Sequence, residues 1–184
     1  MRYLIVLFMM FSSLVEARSV FIEDLTWTEV RDAIQNGTDT AIYYSGSTEQ
    51  NGPHMAMGKH NFIARHVAGQ IATKLGNALV YPVMPYAPTG DAFSKTGHMR
   101  FPGSVTVSES TFAAVAGHVA ASARAAGFKK ILLIADHGEG QSALAKLATD
   151  LNAQWKEEGM AVFHISDAYG RSAELEEAFL NRLG

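Results

Sequence analysis

Residues 40–54, TAIYYSGSTEQNGPH, join a run of apolar and aromatic side chains to a turn that carries Glu49. Residues 129–141, KKILLIADHGEGQ, repeat this arrangement, and here the turn carries His137 and Glu139. In open parallel sheets, ligand sites lie in the crevice beyond the carboxyl ends of the strands. We therefore expect both turns to border one crevice, where their carboxylate and imidazole groups offer metal ligands.

The rest of the chain alternates helical and strand patterns. Thr26 and Glu29 form a capping-box pattern before a helix that stops at Asn36-Gly37. This alternation predicts an α/β fold with a mainly parallel sheet and helices on both faces. The predicted helices cover about residues 26–36, 59–75, 112–126, 142–158 and 173–183, and the predicted strands cover about 40–44, 78–83, 129–135 and 161–165.

The bulk composition fits one globular domain and excludes several classes of function. The chain has 184 residues, of which 48% are hydrophobic and 18% charged, and its net charge of −3 comes without a cluster of Lys or Arg. Nothing therefore indicates a nucleic-acid partner. The absence of cysteine excludes disulfides and thiolate zinc sites, so any metal must be held by nitrogen and oxygen ligands.

The N-terminus has the pattern of an export signal. Arg2 precedes a short apolar run over residues 3–11, and small residues precede a cleavage site before Arg18. We expect residues 1–17 to be removed and residues 18–184 to form the mature domain, in a periplasm or outside the cell, without stable membrane insertion. The alternatives are an uncleaved anchor or a buried strand.

Each candidate ligand also has an ordinary structural interpretation. Glu49 can be a solvated loop carboxylate or a helix cap, and His60 lies where an exposed helical histidine is common. His54 follows a proline and fits a turn. Asp136 can orient His137 or cap the next helix. Carboxylate and imidazole ligands together favour Zn or Mn, and such an ion indicates metal-assisted hydrolysis.

Three ordered motifs resemble the creatininase (creatinine amidohydrolase) family. Residues 46–58, GSTEQNGPHMAMG, are similar to the opening motif of that family, Gly-Ser-x-Glu-Gln-His-Gly-Pro-His. Residues 101–107, FPGSVTV, and residues 136–141, DHGEGQ, are similar to two later segments. The resemblance implies a three-layer α/β/α fold, often assembled as a hexamer. It also implies a hydrolase of cyclic or linear amides that holds a water or hydroxide between two Zn or Mn ions.

Carried over by position, the resemblance places Glu49, His137 and Glu139 on metal ligands. Asn51 stands where the family has a ligating His, and His60 stands where it has a carboxylate that bridges the two ions. An imidazole does not readily bridge two ions, and an amide is a poor substitute for an imidazole. We therefore expect one metal ion per chain, held by Glu49, His60 and His137, with Glu139 as a fourth ligand or as the catalytic base.

The family continues with a His-Ala-Gly…Thr-Ser segment that contributes further catalytic residues. This sequence has no such segment before Gly184, which indicates either a fragment of a longer chain or a domain that has lost part of its machinery.

Two functional hypotheses follow. In the first, a metal-bound hydroxide attacks the carbonyl of a small amide or cyclic amide, in a substrate pocket shaped by Asn51, His54, Asp91 and His98. In the second, the protein is a non-catalytic relative that binds a small molecule or a metal in the periplasm. A third alternative is an esterase of another α/β type that depends on Asp and His.

Overall fold

The computed structural model describes residues 19–183 and contains one parallel β-sheet. The strands are β1 (Thr40–Ser45), β2 (Ala78–Val80), β3 (Lys130–Ala135) and β4 (Ala161–His164). Their order in the sheet is β2-β1-β3-β4. The register pairs Thr40 with both Ala78 and Lys130, and Lys130 with Ala161.

Helices cover both faces of this sheet, so the expected three-layer α/β/α fold is confirmed. The helices are α1 (Trp27–Gln35), α2 (Lys59–Leu75), α3 (Glu109–Ala126), α4 (Gln141–Gln154) and α5 (Asp167–Leu183). Side chains of α1, α3 and α4 pack on one face, and α2 and the start of α5 pack on the other.

The core consists of two apolar clusters, one on each side of the sheet. Along β1, Tyr43 belongs to one cluster, whereas Ile42 and Tyr44 belong to the other. Successive side chains of a strand point to opposite faces, and all six residues of β1 are buried because both faces are covered. β1 and β3 form the centre of the sheet, so the turns that follow them start from buried neighbouring strands.

The sequence patterns at the helix ends are confirmed. The Thr26 side chain accepts a hydrogen bond from the Glu29 backbone N–H, and a Glu29 carboxylate oxygen accepts one from Thr26 N–H at 2.8 Å. Gly76 and Gly127 follow α2 and α3 with φ values of 73° and 109°, a left-handed conformation that side chains other than glycine rarely adopt.

Four element boundaries differ from the prediction, and one of them is the start of α3, at Glu109 rather than near residue 112. β2 ends at Val80 rather than near residue 83, because the hydrogen bonds to β1 change register there. Tyr81 N–H donates to the Ile42 carbonyl, but the Tyr44 carbonyl then accepts from Met84 N–H rather than from residue 83. α4 ends at Gln154, and a short 3-10 helix, Lys156–Glu158, follows it. α5 begins at Asp167, six residues before the apolar periodicity that predicted it.

The described part of the chain, residues 19–183, contains no helix that is long and apolar enough to cross a bilayer. The expected export signal, residues 1–17, lies outside the described residues, so its cleavage stays a prediction.

Candidate metal centre

Three loops bring Glu49, His98 and His137 together at the carboxyl end of the sheet. Glu49 Oε2 lies 2.7 Å from His137 Nε2, and Glu49 Oε1 lies 3.8 Å from His98 Nε2. One ligand atom from each residue lies within 4.8 Å of those from the other two. We call these three residues the candidate metal group.

The turn after β1 is fixed by backbone contacts to its neighbours. Gly46 N–H donates to the Met84 carbonyl at 2.9 Å, and Glu49 N–H donates to the Met57 carbonyl at 3.0 Å. Gly46 also lies so close to α2 that a Cβ atom there would be 2.8 Å from the Asn61 backbone. A side chain at position 46 would therefore push α2 away from the turn that carries Glu49.

The turn after β3 approaches the first one because the two strands are neighbours. Asp136 N–H donates to the Ser45 carbonyl at 2.8 Å, which extends the pairing of β1 and β3 by one residue. Gln141, at the start of α4, donates from its side-chain amide to the carbonyls of Ala135 and His137 at 3.1 and 2.8 Å. His137 therefore leaves the strand in a fixed direction.

His98 comes from the long loop between β2 and α3. Its Nδ1 lies 3.1 Å from the Gln50 carbonyl oxygen, and its backbone N–H donates to the Thr89 carbonyl at 2.9 Å. Two loop segments approach each other closely here, since a Cβ on Gly97 would lie 2.6 Å from the Thr89 carbonyl oxygen. This contact closes the loop and directs His98 towards Glu49.

His60 lies behind the candidate metal group, between two buried carboxylates. Its Nδ1 is 2.9 Å from Asp136 Oδ2, and its Nε2 is 3.3 Å from Glu49 Oε1. Glu49, His60 and His137 therefore lie together, as their positions after β1 and β3 suggest. Both ring nitrogens of His60 contact carboxylates, so His60 braces Glu49 in this structure. Its role as a ligand stays a prediction.

Burial and hydrogen bonding compete at these buried groups. Burial opposes ionisation of Glu49, but hydrogen bonds from His137 and His60 outweigh it and hold the pKa of Glu49 well below its usual value. Burial likewise opposes protonation of His60, and its hydrogen bonds to Asp136 and Glu49 outweigh that effect and raise its pKa. Glu49 is thus kept as a carboxylate, the form that binds a cation.

Glu139 lies at the rim of the site. Its Oε2 is 3.2 Å from His137 Nδ1, yet 64% of its side chain is exposed, compared with 4% for His137. Glu139 therefore contacts the outer edge of the imidazole whose inner edge faces Glu49. Its roles as ligand and as base stay predictions.

The family model for creatinine amidohydrolases matches residues 23–181 of this chain. The chain belongs to the creatininase family. This confirms the resemblance that the three sequence motifs carry.

Curated relatives are similar over part of their length. A 3-dehydro-scyllo-inosose hydrolase from Thermotoga maritima is 28% identical over 120 residues, covering 65% of this chain and 36% of that protein. A creatinine amidohydrolase from Pseudomonas putida is 27% identical over 123 residues, covering 67% of this chain and 46% of that protein. The chain spans less than half the length of both proteins.

Solved creatininases share this fold. One that is described as Zn-Zn type matches with a TM-score of 0.70 at 23% identity, covering 82% of this chain and 58% of that chain. A second, described as "Creatininase Mn", also has a TM-score of 0.70 at 23% identity and covers 81% and 58%. This likeness concerns the creatininase fold alone.

The other residues expected in the substrate pocket are Asn51, His54 and Asp91, and their roles there stay predictions. The Asn51 side-chain amide donates to the Glu49 carbonyl at 3.2 Å, a contact within the turn. His54 is exposed. Asp91 is also exposed, and its Oδ1 accepts hydrogen bonds from the Phe93 and Ser94 backbones at 2.9 and 2.6 Å. Asp91 therefore shapes the tip of the long loop.

His98 is the member of the candidate metal group whose place the sequence did not reveal. It was expected in the substrate pocket, because it lies within a long loop and follows no strand. The available signal was its position three residues before the FPG motif of the creatininase family.

A cleft of about 390 Å³ opens beside the candidate metal group. His98 and Glu139 both line it, together with Gln50 and residues of the long loop that include Arg100. We call this space the His98 cleft. A larger cavity of about 590 Å³ borders Trp27 on α1, but none of the candidate ligands lines it.

Proposed function

We propose that this chain binds one divalent cation, Zn or Mn, through Glu49, His98 and His137 and hydrolyses a small-molecule amide. The observation that carries this proposal is the convergence of one carboxylate and two imidazoles, with ligand atoms within 4.8 Å of one another. Three nitrogen and oxygen ligands with an open fourth position are typical of a catalytic zinc site. Membership of the creatininase family and the Zn and Mn creatininases of the same fold support this choice.

The hydrogen bonds of the two imidazoles suit such a site. His98 Nδ1 faces the Gln50 carbonyl, so the proton resides on Nδ1 and Nε2 keeps a lone pair for a cation. His137 Nδ1 accepts the Glu139 backbone N–H at 3.2 Å, so Nε2 donates its proton to Glu49 at 2.7 Å. If His137 were to bind a cation through Nε2, its single ring proton would move to Nδ1, where the Glu139 carboxylate oxygen at 3.2 Å would accept it.

The remaining roles belong to the side chains around the group. When bound, a divalent cation polarises an amide carbonyl and makes water more acidic. Glu139, exposed at the rim, is placed to accept a proton from the attacking water and to pass it to the leaving nitrogen. His60 and Asp136 keep Glu49 in position, as residues behind metal ligands commonly do.

A second candidate function is a relative that binds a small molecule or a metal without turnover. The observation that favours it concerns Asn51, which stands at the position of a ligating histidine in the family motif. Its amide contacts the Glu49 carbonyl within the turn, so it adds no imidazole to the site. Metal binding without hydrolysis of any amide would support this second function.

Metal analysis of the purified chain tests the proposal. We expect about one Zn or Mn ion per chain from the three-ligand site, with loss of the ion in Glu49→Gln and His137→Ala. The matched control is His118→Ala, since His118 is exposed on α3 and distant in sequence from all three loops. A chain that holds no metal, or that holds it equally well in all three variants, would contradict the proposal.

Hydrolysis is tested with the metal-loaded chain and a panel of cyclic amides and N-formyl compounds. The proposal expects turnover of at least one compound and its loss in Glu49→Gln. Glu139→Gln should retain the metal and lose turnover, which separates the base from the ligands. Loss of the metal in Glu139→Gln would instead make Glu139 a ligand.

We also propose that the protein is exported and acts in a periplasm or outside the cell. The support is the pattern of Arg2, the apolar run and the small residues before Arg18. Mass spectrometry of the exported protein should find Arg18 at its N-terminus. Assembly into a homo-oligomer rests on the family relation, and light scattering with size exclusion would measure it.

A further inference from the structure

Arg100 lies in the wall of the His98 cleft, together with His98 and Glu139. It is the one Lys or Arg side chain among the residues described as lining that cleft. Because His98 belongs to the candidate metal group, a ligand that fills the cleft would border both this group and Arg100. Arg100 is therefore available to the part of a substrate that does not react.

The Arg100 guanidinium is anchored at one side and unpaired at the other. Its Nε–H donates to the Gly97 carbonyl at 3.1 Å, and its Cζ atom lies 6.0 Å from the centre of the Phe101 ring. Among the side chains that the structure describes, it makes no ion pair with a carboxylate. A guanidinium has five donors, so its terminal amino groups remain free to bind an oxyanion.

We propose that Arg100 forms a carboxylate subsite, so that the substrates are amides that carry a second, anionic group. The proposal rests on the proposed function for the reacting end of the substrate. Arg100 and a carboxylate make paired hydrogen bonds of matching geometry. A singly charged group suits the cleft better than a phosphate dianion, because the Glu139 carboxylate lines the same cleft and repels a higher charge.

Three matched pairs of amides test this subsite with the full, metal-loaded chain. They are malonamate and malonamide, succinamate and succinamide, and glutaramate and glutaramide. Within each pair a carboxylate replaces a neutral amide of the same shape, and the three chain lengths cover different distances between the reacting carbonyl and Arg100. The measured quantity is the ratio of kcat/KM for the anionic compound to that for the neutral one.

We expect the wild-type chain to prefer the anionic member of at least one pair. In Arg100→Gln that preference should fall by about 10- to 100-fold, the usual size of a lost hydrogen bond to a charged group, and the change should appear mainly in KM. Arg100→Lys should keep part of the preference. Lys95→Gln should not change it, since Lys95 is an exposed cation of the same loop that does not line the cleft.

A binding measurement separates this subsite from the hydrolase proposal. The metal-free chain is titrated with succinamate or succinamide while the NMR signal of the Arg100 Nε–H is followed. The subsite predicts a saturable shift with succinamate that succinamide does not produce. If no amide is hydrolysed but this shift is present, the proposed function fails and the anion subsite stands.

Three results would overturn the subsite. One is equal kcat/KM within every pair in a wild-type chain that does hydrolyse amides. Another is a fall of kcat for both members of a pair in Arg100→Gln, which would mean that Arg100 acts on Glu139. The last is an unchanged Arg100 signal on addition of succinamate. Arg100→Gln and wild type should unfold at similar temperatures, which confirms that a lost preference is local.

Discussion

The site has a buried half and a loop half, and they are built differently. The buried half consists of Glu49, His60, Asp136 and His137, which are 3%, 6%, 3% and 3% exposed. The loop half consists of residues 85–104, where the His98 side chain is 31% exposed. In the first half, central strands and α2 fix each side chain. In the second, turn hydrogen bonds and close glycine contacts fix the backbone.

Because of this difference, the two halves suit different roles, metal binding and substrate preference. Buried charges must be paired, so a change to one residue of the buried half disturbs all of its partners. A loop residue can change with little effect on the core. We therefore propose that the buried half contributes most of the metal affinity. The loop half, where Arg100 lies, would control substrate preference.

The largest effect is expected for Glu49→Gln. Glu49 contacts all three histidines of the site, so its loss should lower metal affinity by at least about 100-fold, beyond the about 10- to 100-fold typical of residues that only support ligands. Calorimetric titration with Zn or Mn measures this change. Wild-type affinity in Glu49→Gln would mean that the metal is held elsewhere.

His60→Asn should lower both stability and metal affinity. It breaks the contact with Asp136 and leaves a buried carboxylate without its main partner, which costs about 3–5 kcal/mol. Metal affinity should fall by about 10- to 100-fold, because Glu49 loses its brace. Urea unfolding of the metal-free chain and metal titration measure the two effects. A loss of metal without a loss of stability would instead favour His60 as a direct ligand.

His98→Ala should lower metal affinity with little change in stability, which distinguishes the loop half from the buried half. As a ligand from the loop, His98 should contribute about 10- to 100-fold to metal affinity, whereas its removal leaves the buried pairs intact and changes the free energy of unfolding by less than about 1 kcal/mol. The same two titrations measure this. If metal affinity is unchanged, His98 belongs to the substrate pocket alone, as its sequence position suggested.

The pH dependence of stability should depend on the buried half. The pKa of Glu49 is lowered in the folded state, so its contribution to stability is present above its unfolded pKa of about 4.3 and is lost as the pH falls towards the folded value. Metal-free wild type should therefore lose more stability below pH of about 4 than Glu49→Gln does. Equal acid sensitivity of both chains would argue against the lowered pKa.

The smallest effect on the metal is expected for Asp91→Ala. Its exposed carboxylate holds a turn of the long loop, and Asp91 does not line the His98 cleft. Metal affinity should stay within about twofold of wild type, since exposed substitutions distant from a site have little effect. A large loss in this variant would show that the shape of the whole loop controls the site.

Local patterns account for most of what the sequence predicted about the fold. The Thr26–Glu29 capping box, the glycines after α2 and α3, and the apolar runs of β1 and β3 are all short-range features, and each element appears where expected. The predicted length of β2 was wrong because the apolar residues continue past Val80, whereas the regular hydrogen bonds to β1 stop at Tyr81 and resume one residue out of register at Met84. The start of α5 was missed because residues 167–172 lack an apolar period.

The sequence by itself determined the α/β architecture, the family and the two turns that carry Glu49 and His137. These follow from local periodicity and from short motifs, which any stretch of chain carries with it. The tertiary structure alone decided that His60 lies between Asp136 and Glu49, and that His98 and Arg100 border the same site. Such contacts join residues far apart in sequence, 76 positions in the case of His60 and Asp136. Packing of the sheet, α2 and the long loop brings these groups together, so no local pattern encodes their distances.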